Sequence, residues 1–202
     1  MNLQRITLLG LLFALGGCAS GPGIPETTYF RLPPAAAIAA GGAALDAPLV
    51  VEAFYADGVH ADQALLYALD PDGERLRAYH YQMWVDPPTR LLQRRLIRAL
   101  DGAAVAPLVT GRLPPKTAQY RLQMRLESFE RLPRGEDRWA VRVGLRARLD
   151  GSDAARPLLE RDYVRELAVQ GARVRDSVQA MGEAIDQIYA ELASDLRALP
   201  QG

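Results

Sequence analysis

The sequence predicts a single α+β domain: a largely antiparallel sheet covered by amphipathic helices, with a long helix at the C-terminus. Three observations carry this. Tyr120, Leu122, Met124 and Leu126 alternate with Arg121, Gln123, Arg125 and Glu127, the period of a strand with one buried face. The alternation resumes on odd numbers, with Trp139, Val141, Val143, Leu145 and Leu149 apolar and Arg138, Arg142, Arg146 and Arg148 polar. Finally, Val174, Val178, Met181, Ile185, Ile188, Leu192, Leu196 and Leu199 recur at steps of three or four, one stripe of a helix that Pro200 and Gly202 end. An exposed apolar sheet face offers that stripe a closer partner than a coiled coil would.

In chain order, Arg5 leads an apolar run from Ile6 to Leu15, about half the length that crosses a bilayer as a helix. Small residues follow, and Cys18, the only cysteine, stands where a secretory signal is cleaved. Leu15-Gly16-Gly17-Cys18 resembles the bacterial lipobox. That resemblance implies a signal peptide over 1–17, and a diacylglycerol thioether and an N-acyl chain on Cys18. Two or more chains anchor stably where one does not. No other cofactor and no metal is expected. Ala19 and Ser20 follow the cysteine in place of the aspartate that retains many such proteins at the inner membrane. The lipobox rule then implies the periplasmic face of the outer membrane of a Gram-negative cell.

Residues 18–26 read as a lipidated tether because Gly21, Pro22, Gly23 and Pro25 support neither helix nor ladder. The domain is expected over 27–199, opening with a short strand at Thr27–Leu32. Residues 33–47, rich in Ala and Gly, read as a loop or linker. Strands are expected at Leu49–Tyr55 and Gln63–Leu69. Asp70-Pro71-Asp72-Gly73 fits a tight turn that returns the chain through Leu76–Trp84 as a hairpin. From Thr89, the aliphatics Leu91, Leu92, Leu96, Ile97 and Leu100 share one helical face, with Gln93, Arg94, Arg95 and Arg98 between them and Asp101-Gly102 as the stop. Ala103–Thr110 is a weaker strand. The switch in parity requires residues paired across the long hairpin to have numbers summing to an odd value, for example Leu126 opposite Val143 and Glu127 opposite Arg142. A third strand at Leu158–Val169 brings Glu160, Asp162 and Glu166 to answer the arginines.

Charge is balanced at 24 basic and 24 acidic residues, leaving no excess to attract nucleic acid. All basic residues but Lys116 are arginine, and this reads as genome composition rather than as a set of phosphate binders. Cleavage of the signal leaves about 185 residues, enough for one core, with no second cysteine for a disulfide. The only imidazoles are His60, in a polar loop and expected at the solvated surface, and His80, between Tyr79 and Tyr81. No nucleophile elbow, phosphate loop, dinucleotide fingerprint or zinc spacing accompanies them, so an enzyme is not expected.

Leu65-Leu66-Tyr67, then Tyr79-His80-Tyr81-Gln82-Met83-Trp84, Pro87-Pro88, Leu91-Leu92 and Leu96 resemble the ABC-type transport auxiliary lipoprotein family. Tyr29-Phe30-Arg31-Leu32, Leu126-Glu127-Ser128-Phe129 and the terminal helix extend the likeness over nearly the whole mature chain. Ala68 departs from it, standing where the pattern often carries arginine. The resemblance implies a non-enzymatic outer-membrane partner of paraquat-inducible or other MCE-type lipid transport systems, docking to an MCE-domain protein while the ATPase and permease are separate chains. Phospholipid is a further partner on this reading, and homo-oligomerisation is open. Tyr67, Tyr79, Tyr81 and Trp84 are the candidate partner or lipid contacts, because Tyr and Trp give large contact area at low entropic cost. Strict alternation puts Tyr79 and Tyr81 on one face and Trp84 on the other, so part of this set is expected in the core. The alternative function is an envelope-assembly or cell-wall-synthesis accessory lipoprotein with no transport role.

Overall fold

The computed structural model describes residues 25–114, 119–151 and 156–200. The signal segment, Cys18 and all but the last two residues of the tether lie outside the described residues. The strands are β1 (Thr28–Phe30), β2 (Leu49–Val51), β3 (Tyr55–Ala56), β4 (Ala64–Ala68), β5 (Leu76–Trp84), β6 (Val109–Thr110), β7 (Tyr120–Pro133), β8 (Trp139–Asp150) and β9 (Leu159–Ala168). Helix α1 (Pro88–Gly102) follows β5 and helix α2 (Val174–Arg197) closes the fold.

Strand β7 is the spine. On one edge it pairs antiparallel with β8, which pairs antiparallel with β9. On its other edge β2, β3 and β4 dock in succession, all parallel to it, with Leu49 beside Tyr120, Tyr55 beside Arg125 and Leu66 beside Glu130. β4 and β5 form the expected hairpin, and β1 adds parallel to β5. The α+β class therefore holds with a mixed sheet, antiparallel in its C-terminal half and joined largely by parallel contacts in its N-terminal half. The reason is length: strands of two to five residues cannot each return beside their predecessor, so they share the long edge of β7. The expected strand at Leu49–Tyr55 accordingly divides into β2 and β3, with Phe54 buried between them. Only Val109–Thr110 of the weaker candidate is a strand.

The odd-sum register holds where β7 begins, but with Leu126 opposite Leu145 rather than Val143. Glu127 then bulges out, after which Phe129 faces Val143 and Glu130, not Glu127, faces Arg142. The bulge inserts one residue and reverses the parity. Gly144 makes room for it, since a Cβ there would collide with Ser128 Oγ. Past the bulge, Arg131 occupies a core-facing slot at 2 % exposure. Its guanidinium donates to Ser177 Oγ (2.7 Å), Tyr79 Oη and the Ala172 carbonyl (2.9 Å), and lies 4.0 Å from the Trp139 ring centroid. Burial pushes its pKa down, yet these partners keep a charged group tolerable there.

Helices α1 and α2 cover one sheet face, where Leu92, Leu96, Met181, Ile185, Ile188 and Leu192 meet Leu122, Leu126, Val143 and Leu145 in one core. The α2 stripe packs on this sheet, as its spacing predicts, and Tyr189 Oη donates to the Leu92 carbonyl (2.9 Å) to tie the helices together. On the opposite face Ala68, Leu132 and Ala140 form a small second cluster.

Candidate functional site

An open cleft of about 780 Å³ lies between α1, the end of β5 and the segment that follows β1. Its formation begins with Pro33 and Pro34, which lack an N–H and cannot continue β1 as a ladder. The chain instead runs along the seam between α1 and α2. Pro33 rests on Gly182, where any Cβ would collide with its ring. The Ala36 N–H donates to Asp186 (2.9 Å), and Arg197 donates to the Ala39 carbonyl (3.0 Å). What reads as a linker in sequence is therefore a docked strap without regular structure, its small side chains letting the backbone approach the helices.

Arg95 fixes this strap. The sequence pattern places it among the wet residues of α1, but it is 8 % exposed. Nε and Nη2 donate to Asp186 Oδ1 at 3.0 and 2.7 Å, while Nη1 and Nη2 donate to the carbonyls of Pro33 and Pro34. Every polar group of this pair, buried on its arginine side, is engaged, the condition under which such a pair is tolerated.

The mouth of the cleft carries Arg31, Arg94 and Arg98, and its walls are Leu32, Pro33, Val85 and Leu91. Asp86 is the one carboxylate among the lining residues, and it pairs with both Arg94 and Arg90. The hydrogen bond from Arg94 holds the Asp86 carboxyl below its ordinary range, so it stays ionised and engaged. Arg31 and Arg98 have no carboxylate partner among the described residues. Past Ala35 and Arg98 the cleft continues into a smaller depression walled by Ala37, Ile38 and Ala99. An anion with an apolar extension fits this combination. None of these arginines was singled out in the sequence; the available signal was the spacing of Arg94 and Arg98, four apart on the wet face of α1.

Of the aromatics, Trp84 is 1 % exposed and stacks on Phe129 with centroids 5.0 Å apart, so it offers no surface to a partner. Strict alternation sends it away from Tyr79, but both join the main core. Between the pairs Leu66–Ala78 and Ala64–Met83, β5 advances five positions while β4 retreats two, and this irregularity breaks the period. Tyr67 and Tyr79 are half-buried, 4.6 Å apart, and pack beside Arg131. Tyr81 is 41 % exposed. Tyr29 is also exposed, on β1, and pairs with Met83 two positions beyond Tyr81. His60, expected in solvent, instead has Nε2 3.2 Å from Glu130 Oε2, because the turn at Gly58–Ala61 folds over the outer face of β7. Among the described residues no group of three His, Cys, Asp or Glu side chains could hold a metal ion, and no helix is long and apolar enough to cross a membrane.

The fold is thus a mixed sheet under two helices, with a cationic cleft beside α1. The model for the ABC-type transport auxiliary lipoprotein component matches residues 30–193, and the chain belongs to that family, one of transport auxiliary lipoproteins and not of enzymes. No curated protein matches the sequence. Among solved structures, protein XCC0632 from Xanthomonas campestris, of the DUF330 family, is similar at 19 % identity and a TM-score of 0.70, over 82 % of this chain and 92 % of that one. An uncharacterised protein is similar at 18 % identity and a TM-score of 0.67, over 85 % and 99 %. At these identities the likeness establishes the fold.

Proposed function

We propose that this protein is an outer-membrane-anchored periplasmic lipoprotein that serves as the auxiliary component of an MCE-type intermembrane lipid transport system, docking to the MCE-domain partner. The observation that carries the reading is the family match across 30–193, nearly the whole domain. The lipobox supports the anchor: Cys18 bears a diacylglycerol and an N-acyl chain, and Ala19 and Ser20 favour the outer membrane. No other cofactor is invoked. For the docking surface, exposed Tyr81 is the contact residue of choice, with Tyr67 and Tyr79 supporting the strand behind it; Trp84, buried, is withdrawn from that role.

The test is recovery of an MCE-domain protein with the detergent-solubilised full-length chain. Recovery of wall-synthesis or secretion proteins alone overturns the proposal in favour of an envelope-assembly role. The anchor is tested separately. Cys18→Ser leaves the domain folded and removes it from the outer-membrane fraction, whereas normal fractionation of that variant would refute lipidation at this residue.

A further inference from the structure

We propose that the cleft between α1 and the Pro33–Ala35 strap is a binding site for the phosphate head of a membrane phospholipid, with the first part of an acyl chain along its apolar walls. This inference rests on the lipid-transport reading and assigns that reading a site within the domain.

Charge is the first argument. The chain as a whole is neutral, with 24 basic and 24 acidic residues, and its arginines in bulk carry no message. At the cleft the balance fails locally, because Asp86 is already shared by Arg90 and Arg94 while Arg31 and Arg98 are unanswered among the described residues. Guanidinium forks matched to a phosphate form the stronger, charge-assisted class of hydrogen bond.

The walls decide between a lipid and an acidic peptide. A peptide docked in extended form needs main-chain partners. Pro33 and Pro34 have no N–H, their carbonyls accept from Arg95, and the Ala36 N–H is taken by Asp186. At Pro33 and Pro34 the strap thus offers no main-chain donor and both carbonyls are taken, so the wall there is apolar and suits a hydrocarbon chain better than an extended peptide. The continuation past Ala35 and Arg98 is apolar as well. A volume of about 780 Å³ falls within the range of small-molecule sites, roughly 300–1,000 Å³.

Position is the third argument. Arg31 stands thirteen positions after Cys18, so even a fully extended tether keeps the cleft within about 45 Å of the anchored residue. The cleft therefore works where phospholipid is the abundant anion. Its wall is held in place by the Arg95–Asp186 pair, so binding does not have to order the strap.

The experiment is calorimetric titration of the full-length lipidated protein, in one nonionic detergent throughout, with dihexanoylphosphatidylglycerol. Saturable binding is expected, weakened at least about tenfold in Arg31→Ala/Arg98→Ala. Both side chains are exposed, so the variant should melt as the wild type does. Arg77→Ala/Arg112→Ala removes the same charge away from the cleft and should leave binding unchanged. Glycerol 3-phosphate and inorganic phosphate should bind at least about tenfold more weakly than the lipid.

Equal binding by the cleft variant, an equal loss in the control variant, or no binding at all overturns the proposal. Equal affinity for inorganic phosphate makes this a free-anion site, and tighter binding of a hexaglutamate peptide makes it a partner-docking site; either result also overturns it. Recovery of the MCE partner is scored on the same preparations. If the partner is recovered and lipid does not bind, this inference alone falls. If the partner is not recovered, the transport reading falls with its own test.

Discussion

Two regions of this molecule, the β8–β9 ladder and the surroundings of α1, treat their charges in opposite ways. Along β8 and β9, and at the turn between β7 and β8, arginines are answered: Arg134 and Arg142 by Glu166, Arg146 by Asp162, Arg148 by Asp150, Arg161 by Glu191 and Asp195, and Arg165 by Glu191. Around α1 and the strap, one half-buried carboxylate, Asp86, serves two arginines, and Arg31 and Arg98 have no carboxylate among the described residues. A long antiparallel ladder sets side chains of adjacent strands opposite each other, so complementary residues can be chosen pair by pair. Short strands and an irregular strap impose no such pairing. On the binding proposal above, the β8–β9 ladder is scaffold and the α1 side the receiving surface, and the contrast matters more than any single ion pair.

The largest expected effect tests whether the two regions share one core. Trp84 on β5 stacks on Phe129 of β7 and is fully buried, so Trp84→Ala should cost about 3–5 kcal/mol in denaturant unfolding, with a single transition. A loss below about 1 kcal/mol would separate the regions and return Trp84 to the list of surface contacts.

Arg95→Ala comes next, because it removes the keystone of the receiving side alone. Breaking a buried pair from one partner costs about 3–5 kcal/mol, and Asp186, partly open to water, puts the expectation near the lower end. Hydrogen exchange at the Ala36 amide should accelerate while amides of β8 stay protected. Equal acceleration in β8 would erase the distinction between a scaffold and a pinned strap.

The smallest effect belongs to the scaffold's own charges. The hydrogen bond from Arg134, with Arg142 beside it, holds the Glu166 carboxyl below its ordinary value of 4.5. A carboxylate whose folded pKa is lowered contributes stability above the unfolded pKa and loses it as pH falls through the folded value. Wild-type melting temperature should therefore carry a small extra decline below about pH 4.5 that Glu166→Gln lacks, with no more than about 1 kcal/mol at neutral pH after solvent screening. A loss at neutral pH well above that would show the ladder holding the fold rather than tuning its pairing.

Much of the fold was legible because its signals are local. The turn at Asp70–Gly73 works through its neighbours: Asp70 accepts from the Glu74 and Arg75 amides, and Gly73 adopts φ 81°. Helix α2 begins at Val174, the first residue of its stripe, and ends at Arg197 just before the expected limit at Leu199. The site was far less legible. Arg31, Arg94 and Arg98 become a cleft only when the strap crosses α1, and Arg95 differs from them in sequence by nothing but its place on the helix. Glu127 gives no sign that it will bulge, since the alternation asks for one odd-sum register throughout and the extra residue shows only against the partner strand.

By itself the sequence determined the α+β class, both helices and the three long strands, because periodicity and spacing are properties of one stretch of chain. Only the tertiary structure decided which edge of β7 the short strands join, that Trp84 turns inward, that Arg131 and Arg95 are buried and that Arg31 and Arg98 line a cleft without a carboxylate partner among the described residues. Each of those depends on what a distant segment brings alongside. A guanidinium is structural or functional according to whether a carboxylate, a carbonyl or an empty cleft lies within its reach, and that is settled by packing.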